Sequence, residues 1–412
     1  MSKPSRNLDS LFARRTAWNL ATNRYTAALE QHRSEGRKLF DLTASNPTTI
    51  GLRYRDRELL QALANPAALG YDPQPKGLLT AREAVAAYYA EQGSRVSPDE
   101  LLLTTSTSEA YTFVFRLLCN AGDAVLVPTP SYPLFDFLAE IQDVRLFPYE
   151  LVYHDGWQID FGSVRSFIER ARTEGARLKA LLAVHPNNPT GSYVKAHELE
   201  ELNHIAYSEG IAIIADEVFL DYSLTNGRHL TFSANDSALT FTLSGLSKIS
   251  GLPQMKVAWI AVSGPEESRR EGMLRLEVIA DTYLSMNAPV QLAVPAMLEE
   301  RANVQAQLLE RVRTNLSELD KQLAAQQLCA RLQVEGGWYV VVRVPAIGSD
   351  EILAIELLGH HDVLVQPGHF YDFRRDGYLV LSLITPPEQF REGIRRLLQF
   401  VAVVAGGGHQ EP

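Results

Sequence analysis

Short, almost unbroken apolar runs recur along the chain, separated by stretches with helical periodicity. Seven runs read as strands: residues 100–104, 124–128, 144–147, 179–184, 211–215, 238–243 and 257–262. Helical stretches at 109–119, 196–209 and 266–284 lie between several of them. Runs that are apolar at consecutive positions, not at alternate ones, predict strands buried on both faces. The expectation is an α/β fold with a mostly parallel seven-stranded sheet flanked by helices.

On the N-terminal side, residues 16–31 read as an amphipathic helix with Leu20, Ala27 and Ala28 among its apolar positions. The Pro/Gly-punctuated stretch 45–77 predicts no regular structure. Beyond the sheet, a long helical region runs from Pro289 to about Gln327. Strands at 338–344, 363–366 and 378–384 and helices at 350–358 and 387–404 follow it, predicting a smaller α+β domain. The expected division is a segment 1–50 that joins the small domain, a large domain 51–300 and a small domain 301–412. Residues 406–412 are expected to fray.

Composition narrows the function. The 412 residues are 46% hydrophobic and 21% charged with a formal net charge of −10, which opposes a nucleic-acid footprint needing a basic face. Cys119 and Cys329 sit in apolar surroundings without CxxC spacing, predicting two buried, unpaired thiols and a reducing compartment. Residues 1–15 mix Lys3, Arg6, Arg14 and Arg15 with Asp9 and lack the apolar core of a secretory signal. No stretch approaches the roughly 20 apolar residues of a membrane span. The chain reads as soluble and cytoplasmic, without a membrane or nucleic-acid partner.

Ligands of open α/β sheets bind at the carboxyl ends of strands, and four polar turns follow strands here. Thr104-Thr105-Ser106-Thr107-Ser108-Glu109 leads into a helix; free N–H groups and hydroxyls there suit a phosphate, and an ordinary helix cap accounts for the same residues. His185-Pro186-Asn187-Asn188-Pro189-Thr190-Gly191 is a turn whose adjacent amides are pinned by prolines. Asp216 ends a buried strand, where an acid needs a cationic partner; no cluster with metal spacing accompanies it. Lys248, among Ser244, Gly245 and Ser247, is a candidate for a desolvated amine or a Schiff base.

Read in order, these turns resemble the class I/II aminotransferases of pyridoxal-phosphate (PLP) fold type I over nearly the whole chain. Tyr71 with Gly77 resembles the tyrosine that reaches the neighbouring subunit's cofactor phosphate, which implies a homodimer. Ser106-Thr107-Ser108 resembles the phosphate-binding turn, and Pro130-Ser131-Tyr132-Pro133 the segment whose ring stacks on the pyridine. Asn188-Pro189-Thr190-Gly191 matches the turn whose amide meets the phenolic oxygen. Asp216 resembles the acid paired with the pyridinium nitrogen, and Ser247-Lys248 the Schiff-base site. Gly336-Gly337-Trp338-Tyr339 and Pro367-Gly368 resemble small-domain landmarks. The resemblance implies pyridoxal 5'-phosphate as cofactor, with Lys248, Asp216 and Tyr132 as the catalytic set. It also implies Asn46 on the substrate side, and a ping-pong transfer between an amino acid and a 2-oxo acid.

The chain departs from that pattern in places. Where the family carries a carboxylate-binding arginine, this sequence has Val380, which supplies no donor. Arg374 and Arg375, with His369 just before them and Arg343 on a neighbouring predicted strand, are candidate replacements; the alternatives are a solvated turn and a substrate not held as an ordinary α-amino acid. Lys256 stands for a phosphate-binding arginine, Phe219 for a tyrosine and Gly245 for a serine. A PLP lyase of the carbon–sulfur type, or a PLP-binding protein without catalysis, is the rival reading.

Overall fold

Strand order decides where the polar turns meet. The computed structural model describes residues 11–406 apart from 228 and 285. Strand β1 (Phe40–Asp41) lies outside the main sheet. The main sheet uses β2 (Leu101–Thr104), β3 (Ala124–Thr129), β4 (Arg145–Tyr153), β5 (Trp157–Ile159), β6 (Leu178–Val184), β7 (Ala212–Asp216), β8 (Thr240–Gly245) and β9 (Ala258–Ser263). Their order is β2-β9-β8-β7-β6-β3-β4-β5. Strands β8, β7, β6, β3 and β4 are parallel neighbours. Strand β9 runs antiparallel between β2 and β8, so β2 again points the same way as β8. The carboxyl ends of β2, β3, β6, β7 and β8 therefore share one edge.

The seven expected strands are all present. The eighth, β5, is a three-residue antiparallel edge paired with β4, entered through Asp155 and Gly156 at positive φ. So short a run carries little pattern of its own. Successive residues of the central strands bury on opposite faces: Val125, Leu182 and Ile214 join one apolar cluster, Leu126, Leu181 and Ile213 another. That double burial is why the strands read as continuous apolar runs.

The remainder of the chain builds a second sheet from β10 (Ala330–Arg331), β11 (Tyr339–Arg343), β13 (Gln366–Pro367) and β14 (Tyr378–Ser382), antiparallel in the order β10-β11-β14-β13. Strand β12 (Val363–Leu364) pairs in parallel with β1 instead. The single run expected at 363–366 is thus two strands in two sheets, separated at Val365, whose carbonyl accepts from the Tyr25 hydroxyl at 2.7 Å. The N-terminal segment also binds here: Ser382 N–H donates to Leu42 O and the Thr385 hydroxyl to Asp41 O.

Three helical expectations shift. The first helix is Arg24–Ser34, because the Asn23 side chain caps it by accepting from Thr26 N–H at 2.7 Å; Leu20 lies outside it and exposed. The 45–77 stretch contains a helix, Asp56–Leu63, with acids in its first turn. Its Leu59 packs with Val85, Met297 and Leu298, so tertiary burial overrides a weak local signal. The long region after Pro289 is two helices, Ala288–Glu299 and Arg301–Leu323, divided at Glu300, which is buried and paired with Arg55. Cys119 is partly exposed and Cys329 buried, and both are free. Of the residues expected to fray, 407–412 lie outside the described part of the chain.

The turn after β6 is tied to the approach to β11. Gly191 O accepts from Glu335 N–H at 3.1 Å and Gly336 N–H at 2.9 Å, and Gly337 N–H donates to Tyr222 O. Gly191 sits at φ +70°, and a Cβ there would overlap Val334 Cγ2 and the Gly336 carbonyl oxygen. Gly191→Ala should therefore cost at least about 2 kcal/mol from left-handed strain and overlap together. A urea-unfolding midpoint equal to the wild type's would refute this close approach.

Candidate active site

Register aligns the site. Asp216, the last residue of β7, lies level with Val184 of β6 and Leu243 of β8. The next residues along those strands begin the Asn188 and Lys248 turns. Asp216 is 9% exposed. Its Oδ2 accepts from the Tyr111 hydroxyl at 2.8 Å and its Oδ1 from Val218 N–H at 3.1 Å. Burial pushes its carboxyl up, and those two donors together with Lys248 pull it back.

Lys248 sits in the one-turn helix Leu246–Ile249 after β8. The Tyr222 hydroxyl donates to its carbonyl at 2.6 Å, fixing the turn. Its Nζ lies 4.9 Å from the Trp338 ring centre and 5.5 Å from that of Phe219. Burial lowers this amine to about 8, against the opposing pull of Asp216. Phe219 packs edge-on against Trp338 and Tyr339, so the ring that stands where the family has a tyrosine forms one wall around the amine. Gly245 also has a steric reason: a Cβ would come within 2.8 Å of Val257 O and Ala258 Cβ on β9.

At the end of β2, Ser106 caps the Thr107–Leu118 helix by accepting from Glu109 N–H at 3.1 Å. Glu109 reaches back to Thr105 N–H at 2.7 Å. The N–H groups and hydroxyls of Thr107 and Ser108 find no acceptor or donor among the described residues. They form an open anion cradle at a helix N-terminus. The Asn188 side chain is buried with Oδ1 unpartnered, while Asn187 braces the turn by accepting from Thr190 N–H and Oγ1. Tyr132 follows β3, and burial beside Asp216 pushes its phenol up. An unpaired amide, an open anion cradle, a buried acid and a neutralisable amine together match the polar features of a phosphorylated pyridine aldehyde.

The other expected residues are dispersed. Ser247 is half-buried near the amine, whereas Lys256 is exposed in this chain, at φ 55°. Tyr71 is 83% exposed and points away from its own chain's core. Asn46 is exposed, its side chain engaged by Thr48 N–H and Oγ1. Arg374 pairs with Glu150, and Arg375 is exposed; neither enters the electrostatic surroundings of Lys248, Asp216 or Tyr132. Val380 is wholly buried in β14. Sequence reasoning missed Tyr111 and Tyr222. Tyr111 carried a signal, lying one helical turn beyond the Ser108 cradle; Tyr222 carried none.

The family model for aminotransferase class I and II matches residues 37–397. The chain belongs to that family. Glutamate-pyruvate aminotransferase AlaA of Haemophilus influenzae is 27% identical over 383 residues, covering 89% of this chain and 92% of that one. An alanine aminotransferase of Mycobacterium tuberculosis is 28% identical, covering 92% and 88%. Among solved structures, an alanine aminotransferase of Pyrococcus furiosus superposes with a TM-score of 0.85 at 22% identity, covering 95% of this chain and 99% of that one. This aminotransferase uses pyridoxal 5'-phosphate to move amino groups between amino acids and 2-oxo acids. None of its described helices is long and apolar enough to cross a membrane, and no described cluster suits a metal ion.

Only a neutral amine attacks an aldehyde. With Lys248 held near 8, covalent capture of PLP by the cofactor-free protein should accelerate roughly tenfold per pH unit below that value and level off above it. Borohydride trapping at a series of pH values measures the rate. An acceleration continuing to about pH 10, the range of an ordinary lysine, would show that the amine is not desolvated.

Proposed function

We propose that Lys248 is the covalent attachment point of PLP and the base of an amino-group transfer between a small amino acid and a 2-oxo acid, run by a cytoplasmic homodimer. The carrying observation is the lysine amine set between Trp338 and Phe219 beside the buried Asp216 and lowered by burial. When bound, PLP supplies an electron-poor ring that stabilises negative charge at the substrate's Cα. Asp216, braced by Tyr111 and Val218, holds the positive charge of the ring nitrogen. Thr107 and Ser108, with Ser106 shaping their turn, bind the phosphate by N–H and hydroxyl donors, and Lys256 adds a point charge. Asn188 orients the phenolic oxygen and Tyr132 fixes the ring plane. Freed of the cofactor, the Lys248 Nζ would be the base that moves the proton from the substrate's Cα to the cofactor's aldehyde carbon. The names of the curated relatives support glutamate with pyruvate, and in reverse alanine with 2-oxoglutarate, as the substrate pairs.

In this reading residues 51–300 carry the cofactor, while 1–50 and 301–412 form the smaller part. The dimer is supported by an exposed apolar surface: Leu69 is 94% and Leu284 54% exposed, and both line one cleft with Tyr71 and Met286. Tyr71 on that surface would serve the second copy's phosphate.

Lys248→Ala should abolish the cofactor's visible absorbance and lower turnover by at least about a thousandfold. L-alanine with 2-oxoglutarate should give pyruvate and glutamate in equal amounts. Sustained ammonia release without any 2-oxo acid would establish the lyase instead. Leu69→Asp should give a monomer by light scattering with weakened PLP affinity; a fully active monomer would remove Tyr71 from the site.

A further inference from the structure

The second sheet turns one face toward the lysine, and the chemistry of that face bears on what the substrate presents to it. Tyr339 of β11 has its ring 6.1 Å from that of Phe219, which lies 5.5 Å from Lys248 Nζ. Val341, two residues on, shares its face. Val341 is matched across the sheet by Val380 of β14, and Val380 by Gln366 of β13. The row on the same face as Tyr339 therefore reads valine, valine, glutamine. Both valines are buried and Gln366 is partly exposed. The Tyr371 hydroxyl donates to Gln366 Oε1, and the Nε2 hydrogens have no acceptor among the described residues. Tyr371 is itself held beside Tyr132, its carbonyl accepting from Ser131 N–H at 3.0 Å.

Among the described residues, the side-chain groups that shift Lys248, Asp216, Tyr132, Tyr339 and Tyr371 are Asp216, Lys248 and tyrosines. Among the described residues, no arginine or histidine and no second lysine contributes. Arg374 is committed to Glu150, and Arg343 and Arg375 face solvent.

We infer that Gln366, oriented by Tyr371, is the specificity-determining residue for the end of the substrate that carries the α-acid group, and that neutral donors recognise this end. The inference rests on the proposed role of Lys248 and deepens it by naming the substrate class: amino acids and their amides, accepted on similar terms. A hydrogen bond from an amide to a charged oxygen exceeds one to a neutral oxygen by about tenfold in affinity. A guanidinium fork discriminates far more strongly.

The test compares L-alanine with L-alaninamide and L-phenylalanine with L-phenylalaninamide on the holoenzyme, at equal concentrations of free amine. Single-turnover loss of cofactor absorbance gives kcat/KM, and calorimetry gives the Kd of unreactive hydrocinnamate at low and high salt. The acid should be favoured over the amide by about tenfold or less, with a Kd nearly independent of salt. Gln366→Ala should raise KM for both members of each pair and leave kcat nearly unchanged. Gln366→Glu should weaken the acid much more than the amide, and Gln366→Arg should restore a strong acid preference. Cofactor absorbance retained in each variant reports an intact fold. An acid preference above about a thousandfold, salt-sensitive and untouched by Gln366→Ala, would overturn the inference and place a cation elsewhere, such as on the second copy. A wild-type protein that takes up no PLP, or converts no amine at all, would overturn the role of Lys248 instead.

Discussion

The molecule is organised around keeping one amine out of water beside one acid. Lys248 and Asp216 are each pushed toward neutrality by burial and drawn back toward charge by the other. Neither position is stable in isolation: a buried carboxylate alone is costly, and a buried ammonium equally so. The parallel strands β7 and β8 bring the two residues to the same edge, the tyrosines Tyr111 and Tyr222 hold them there, and Trp338 from the second sheet closes the amine in. That geometry lowers the amine to about 8, so that a reactive neutral fraction is present near physiological pH.

Much of this is legible in the sequence. The parallel core was legible because its strands are apolar at every position, and the four polar turns because each directly follows such a strand. Asp216, Asn188 and Lys248 were found for that reason. The short β5 and the splitting of 363–366 between two sheets were invisible, since two- or three-residue strands are fixed by their partners. The helix Asp56–Leu63 was hidden by flanking prolines and glycines and is secured by burial of Leu59. Tyr222, which braces the Lys248 turn from a distant segment, leaves no trace in local pattern.

The departures from the family pattern are not scattered losses. Gly245 is demanded by the close approach of β9, and Phe219 gives the amine an apolar wall where a hydroxyl would have offered a hydrogen bond. Val380 extends the same tendency across the second sheet, where Gln366 and Tyr371 supply polarity without charge. The polar groups around Asp216 and Lys248 are kept, while the row through Val380 carries no charge. Low dielectric strengthens the few dipoles that remain.

The hydrogen bonds from Glu335 and Gly336 to Gly191 O have a mechanical consequence. They fasten the turn that leads through Trp338 into β11 to the same loop that carries Asn188. The indole wall of the amine and the placement of the Asn188 amide thus hang on one anchor, and a change that loosens it disturbs both together.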